Sequence, residues 1–521
     1  MKNKRGINLR ISCLHSCKQL ILFTIILLHN KVFAQVQHGA AWVSGIANEI
    51  AVTRFGLNAQ ITQYKTGPTP PSRGFQHGYS NICDTNGKLT LLCDGFNLLD
   101  SNLMPIQGGL QLAYTNLYSF WNGSAVPVDQ FSIILPFTNG IYYMVNTVQT
   151  NACFDSSWTI NQFPPDILLY HKVDMKMNNG SGMVYERKIM LDSGRFESSG
   201  MMACRHGNGK DWWLLKLSAD SVSFYTYLIT QDSIIKKGRQ TFPHLPNQFL
   251  SNWTMYLAKG QLMFNEQGTK MALVTKPRRH LYTFDFNRCM GVVSNAQSHA
   301  PPLGGPDQNM KGVSFSPNGR FIYVAQSGRI LQFDTQATDS SSAWYVVGGL
   351  DSVYANFPGY ENIYPANDGK IYLGYEDGYA TYRSTINKPN LKGVLCEWCP
   401  TCLKFDSIAP YIAVGNPPCM PNYGLAAVSP PCEPLAIHQF ENLEMSELVV
   451  YPNPATDRLH LHWGAALTSQ TKLEVRNIFG QVLFTRTLPK GASNYELDIS
   501  NLPSACYLVK VGNTVRRFAR E

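Results

Sequence analysis

Long apolar runs, charge and helical periodicity are all scarce in this chain, and each absence excludes something. Only 15% of the 521 residues are charged, while 44% are hydrophobic, which is a globular composition rather than a disordered one. A formal charge of +9 invites a nucleic-acid reading. However, Lys2, Lys4, Arg5, Arg10, Lys18 and Lys31 all fall in the first 34 residues, which contain no acid. Beyond that segment, 38 basic face 35 acidic residues, a net +3 with no Lys/Arg run or stripe. Nucleic acid is therefore not an expected partner. The longest apolar run, LILFTIILL from Leu20 to Leu28, is too short for a membrane span of about twenty residues. With the basic flank before it and Val32 and Ala34 after it, it reads as a signal peptide over 1–34, cleaved after Ala34. No transmembrane segment is expected. The chain also lacks Gly-x-Ser-x-Gly, a phosphate-binding P-loop, His-Glu-x-x-His and an EF-hand loop, so no motif implies a cofactor or a metal.

Thirteen cysteines are present, and Cys13 and Cys17 leave with the leader. The remaining eleven form an odd set for an exporting compartment that favours disulfides. CEWCPTC, from Cys396 to Cys402, imitates a redox dithiol or, with Cys419, a four-thiolate zinc site. Neither has its usual context, since no helical stripe follows, and disulfides that pin the closing segment, with Cys419 and Cys432 as candidates, fit better.

What the chain has in quantity is short strand-like runs of Tyr, Val, Ile, Leu and Phe. Six of them follow the same punctuation, a polar residue and then glycine: Gly87, Gly140, Gly209, Gly268, Gly319 and Gly369. Asn-Gly and Asp-Gly supply the positive φ of a two-residue hairpin turn. Successive intervals of 53, 69, 59, 51 and 50 residues suit one four-stranded propeller blade each. The expected architecture is all-β: a β-propeller over 38–428 with seven blades, six or eight being the alternatives, then a linker over 429–447 and a small β-sandwich over 448–521. Ring closure is expected from pairing around Ile50–Phe55 with 424–428. The order of these segments, including SPNGRFIYV at Ser316, resembles exported propeller proteins of Bacteroidetes-type bacteria, over roughly Tyr79 to Tyr423. That resemblance implies the fold and the compartment only.

RHGNGKDWW is the most site-like stretch, with His206, Asp211, Trp212 and Trp213 close in sequence. Either His206 and Asp211 are an acid/base pair beside an aromatic platform, or they hydrogen-bond each other while the two indoles pack into opposite blade faces. Cys83 and Cys93 are expected not to pair: a two-residue turn at Asn86 and Gly87 would set Cys83 opposite Thr90 and Cys93 opposite Ser80. Carboxylates brought together from different blades are invisible in one sequence.

From Leu448 the strand pattern restarts, opening on YPNP: Tyr451, Pro452, Asn453 and Pro454. Gly480 stands at a hairpin tip and Lys510 lies in the closing YLVKV. This tail is similar to the type A C-terminal sorting domain of the type IX secretion system. It departs from that pattern at Ala505 and Cys506, where the family has glycine before the hydrophobic-Tyr step. The resemblance implies recognition by the outer-membrane secretion machinery and delivery to the cell surface or medium. The whole reads as an exported propeller that binds or adheres to an unidentified extracellular glycan or protein. The alternative is a hydrolase or lyase with its site in the central channel, which three or more converging carboxylates or histidines would favour. Deleting 448–521 is expected to strand the protein in the periplasm, scored by fractionation and surface labelling; normal display of the truncation would contradict the tail's role.

Overall fold

The computed structural model describes 37–521 apart from 47–48, 57–58, 66–73, 76, 121–127, 159–164, 247–259, 277–278, 302–308, 327, 340–341, 350–358, 376–380, 406–413, 433–447, 464–465, 468, 478–481 and 513. The leader, Gly480, Gln481 and most of the expected linker lie outside the described residues. Two compact units result, 1–432 and 433–521.

Among the described residues, the first unit holds seven sheets, six of four strands and one of three. They are the blades of a propeller. Blade one takes Ala41–Ile46, Glu49–Arg54 and Gln60–Lys65, with the short Gly74–Phe75 beside Ala41–Ile46. Blade two is the three-stranded sheet beginning at Ser80–Cys83. Blades three to seven begin with Ser132–Pro136, Phe196–Arg205, Gly260–Phe264, Met310–Phe315 and Tyr360–Pro365, and each first strand neighbours the next around the channel. Within a blade, solvent exposure rises outward. Met310–Phe315 is buried along its whole length, as is the next strand, FIYVAQ, whereas the outermost Trp344–Gly349 is mostly half-exposed. Inner strands have a blade on each face and the channel at their edge, so they are buried at almost every position and lose the two-residue alternation of exposure.

All six repeat glycines have positive φ, from 69° to 80°. Five of the turns are not of the expected two-residue type. The residue before glycine has positive φ only at Asn139. At Gly87, the glycine N–H donates to Asp84 O while Asp84 N–H donates to Lys88 O, a turn followed by a bulge. The extra residue shifts the register: Cys93 faces Ser80 as expected, but Cys83 faces Leu89 rather than Thr90. Both thiols are free and buried.

The expected closing ladder is absent. Residues 50–54 pair inside their own blade, and 424–428 form no strand. Pro417, Pro418, Pro421, Pro430 and Pro431 deny the closing segment the N–H groups a ladder needs. It is tied down piecewise instead: Cys419 N–H donates to Tyr79 O at 2.8 Å, Val428 N–H to Gly207 O at 2.8 Å, and Cys432 is disulfide-bonded to Cys289. Side chains join blade seven to blade one. Tyr372 packs edge-on to Trp42, and the buried Arg383 guanidinium donates to Ser44 Oγ and to the carbonyls of Gly415 and Asn416.

The second unit pairs Val449–Tyr451, Arg458–His462 and Asn494–Asp498 in one sheet. Thr471–Asn477, Val482–Leu488, Ala505–Val511 and Thr514–Arg520 form the other. Alternate residues, such as Leu459 and Leu461, face a shared core around Trp463. Ala505 begins a regular strand without positive φ, so the departure from glycine there is accommodated without strain.

In blade four, the inner strand bulges between Phe196 and Met201, freeing carbonyls from the ladder. Lys216, fully buried, donates to Ser198 O at 3.2 Å and Ser199 O at 2.8 Å. Burial lowers its amine to about 7, against the raising effects of Glu197 and Cys419. A lowered folded-state pKa means the unfolded chain binds the extra proton between about pH 7 and the ordinary lysine value near 10.4. Native stability from this group therefore rises with pH across that window, on the order of 1 kcal/mol per unit. Lys216→Met is expected to flatten that rise in chemical denaturation between pH 7 and 9.5 and to lower stability overall by about 1–3 kcal/mol for each carbonyl left unpaired. An unchanged slope would contradict the assignment.

Candidate functional site

The channel has two chemically different ends, because the inner strands run from one face of the ring to the other. At the turn end they leave a cavity of about 270 Å³. Its floor is apolar, made by Trp42, Met202, Met263 and Phe315, and its rim carries Asn265, Glu266, Ser316, Asn367 and Asn422. Most rim groups hold the turns. Asn265 Oδ1 accepts from the N–H groups of Thr269 and Lys270, and Ser316 Oγ accepts from Phe321 N–H. Asn422 Nδ2 donates to Glu266 O at 2.9 Å. The Glu266 carboxyl reaches the rim with its pKa raised by partial burial.

Midway, the channel is stitched by amides. Gln130 Nε2 donates to Leu262 O at 2.8 Å and its Oε1 accepts from Leu262 N–H, tying blade three to blade five. Gln261 Nε2 donates to Ile363 O, and its Oε1 accepts from Val313 and Ile363, tying blades five, six and seven. Burial pushes the Cys419 thiol, beside Tyr364, up to about 12, so it stays protonated and is not a nucleophile.

At the other end, where the inner strands begin, His77, Asp129 and Glu361 converge, their ligand atoms all within 4.8 Å of one another. His77 Nδ1 lies 3.2 Å from Glu361 Oε2. Asn416 Nδ2 is at the hub, 3.2 Å from His77 Nδ1, 3.1 Å from Asp129 Oδ1 and 2.6 Å from Glu361 Oε2. Gly260 N–H donates to Asp129 Oδ2, and Asn362 N–H holds Asn416 Oδ1. Asp129 and Glu361 are fully buried, and His77 is 8% exposed. These four residues escaped the sequence reading because nothing local marks them. Asn416 meets partners 339, 287 and 55 residues away, and no spacing rule spans such distances.

His206, Asp211, Trp212 and Trp213 lie elsewhere, on the glycine turn of blade four. The imidazole Nε2 is 3.1 Å from Cys289 O, and His206 Nδ1 accepts from Asn208 N–H. Asp211 Oδ2 accepts from Asn208 Nδ2, so the two side chains each meet Asn208. Between themselves, the two residues share only the backbone bond from His206 N–H to Asp211 O. Both indoles are fully buried and face opposite neighbours, Trp212 donating to Pro136 O in blade three and Trp213 to Arg288 O in blade five. Cys399 and Cys402 are disulfide-bonded on the outermost strand of blade seven, Cys396 is buried between blades six and seven, and Cys419 is at the channel. The four therefore do not assemble a thiolate site.

In the tail, Tyr451 is 52% exposed and stacks on His460. It ends an edge strand at Pro452, and Pro454 follows Asn453. Asn453 fastens the last strand, accepting from Ala519 N–H at 2.8 Å and donating to Arg517 O at 3.3 Å. Lys510 lies opposite Glu474 and Val515 in the sheet.

No curated protein matches this chain. Among solved structures, it is similar to a protein from Lactobacillus plantarum at 9% identity, covering 73% of this chain and 98% of that one with a TM-score of 0.38. It is also similar to a candidate 6-phosphogluconolactonase from Bacteroides uniformis, at 11% identity, 88% and 100% coverage and a TM-score of 0.30. The extracellular domain of a candidate one-component system from B. thetaiotaomicron is similar at 10% identity, 93% and 57% coverage and a TM-score of 0.32. No described helix is long and apolar enough to cross a membrane. Residues 449–520 match the secretion system C-terminal sorting domain, which makes this chain a type IX secretion protein of the cell surface or extracellular medium with an all-β propeller ahead of its tail.

Proposed function

We propose that the propeller is an extracellular binding protein whose ligand enters the cavity at the turn end of the channel. The observation that carries this reading is the cavity itself: about 270 Å³, with an apolar floor of Trp42, Met202, Met263 and Phe315. A floor of that kind buries a hydrophobic or sugar-ring face, while the Glu266 carboxyl supplies an orienting polar contact. The exported address fits a ligand outside the cell, of glycan or peptide chemistry. His206, Asp211, Trp212 and Trp213 act in this reading as blade packing, because both indoles are fully buried.

A second reading has one specific observation in its favour. His77, Asp129 and Glu361 converge at the far end of the channel, as a propeller hydrolase or lyase acting on polysaccharide or peptide would need. Full burial of both carboxylates places it second. Turnover of such substrates, lost on Glu361→Gln, would reverse the order.

The binding reading is tested with a panel of oligosaccharides and short apolar peptides, screened by thermal shift and then titrated. Ala203 lines the cavity, and Ala203→Trp fills it. Ligands found with the native chain are expected to bind at least tenfold more weakly to Ala203→Trp, and those that use the rim several-fold more weakly to Glu266→Gln. Full affinity in a folded Ala203→Trp protein would move the site elsewhere.

A further inference from the structure

We propose that His77, Asp129 and Glu361, with Asn416 beside them, are a divalent-cation site at the inner-strand end of the channel, selective for an ion that takes mixed nitrogen and oxygen donors, Zn²⁺ or Mn²⁺. This goes beyond the binding reading, since none of the four residues lines the turn-end cavity.

The donor set comes first. One imidazole nitrogen and two carboxylates present their ligand atoms within 4.8 Å of one another. Imidazole with carboxylate suits zinc and manganese, whereas calcium prefers a shell made wholly of oxygen. Electrostatics adds to this. Two fully buried carboxylates side by side are costly unless a positive charge compensates them. Protein cations compete with an ion for that role. Arg383 is spent on two carbonyls and a hydroxyl, and Lys216 on two carbonyls. Lys311 is buried on the adjacent inner strand and is the competing counter-charge.

Asn416 Nδ2 lies within 3.2 Å of His77 Nδ1, Asp129 Oδ1 and Glu361 Oε2, so the amide marks the point on which the three ligand groups converge. Gly260, whose N–H holds Asp129, packs closely here: a Cβ on it would stand 3.0 Å from Ser199 Oγ. Asn416 can sit so far inward because Gly374 faces it; a Cβ there would come within 2.2 Å of its Oδ1.

The test uses the full mature chain, purified without chelator, analysed by plasma mass spectrometry and then stripped and titrated with ZnCl2, MnCl2 and CaCl2. About one equivalent of zinc or manganese is expected in the native protein, with affinity at least tenfold weaker in Asp129→Asn or Glu361→Gln. Asn416→Asp replaces the amide with a third carboxylate and is expected to bind at least tenfold more tightly. Near-UV circular dichroism confirms that each variant folds. Should the first two fail to fold, the gain in Asn416→Asp decides. Absence of bound metal together with no gain in Asn416→Asp overturns the proposal and leaves Lys311 as the counter-charge. Metal retained by folded Asp129→Asn and Glu361→Gln, or binding of calcium alone, overturns it as well. Loss of metal with ligand binding intact, or the reverse, separates this site from the turn-end cavity.

Discussion

This propeller depends on how the buried strands around its channel satisfy their polar groups. Neighbouring inner strands lie in separate sheets around the ring and share no continuous ladder, and they are buried along their length. Most polar groups they present inward therefore find a protein partner. Gln261 shows the solution most clearly, because one side chain gives its N–H to Ile363 and accepts from both Val313 and Ile363. Gln130 does the same between blades three and five. These amides replace the missing sheet and fix the blades against one another, while aromatic packing such as Trp42 on Tyr372 fills the wedges between blades. Lys216 belongs to the same accounting, as a cation recruited for the carbonyls that a bulge set free.

The same constraint gives the candidate site its character. Groups that would be ordinary on a surface become consequential when closed off, since a buried carboxylate or imidazole interacts in a medium of low effective dielectric. The turn end remains apolar and open, and the other end concentrates charge. One scaffold thus offers two unlike environments on one axis.

Which parts could be read from the sequence follows from how local each signal is. Gly87, Gly268 and Gly319 announced the blades because a left-handed residue is a property of one position, and the polar residue before it completes the signal. The turn type was less legible, because a bulge depends on which carbonyl the next strand offers; hence Cys83 opposite Leu89 rather than Thr90. The closing segment carries apolar residues that look like a strand, while its prolines withhold the N–H groups a ladder needs. The YPNP opening was legible as a motif, and Asn453 now has a mechanical reason for being there, since it fastens the last strand. His77, Asp129, Glu361 and Asn416 were out of reach, as each is a single polar residue whose meaning is created by ring closure.

The Cys289–Cys432 disulfide bears on how the protein withstands handling during and after export. Cys432 is the final residue of the propeller unit, and its sulfur is anchored to blade five. A pull transmitted from the tail is borne by a covalent staple before it reaches the hydrogen bonds that seat the closing segment. A protease cutting between Cys432 and Leu448 removes the address and leaves the ring fastened.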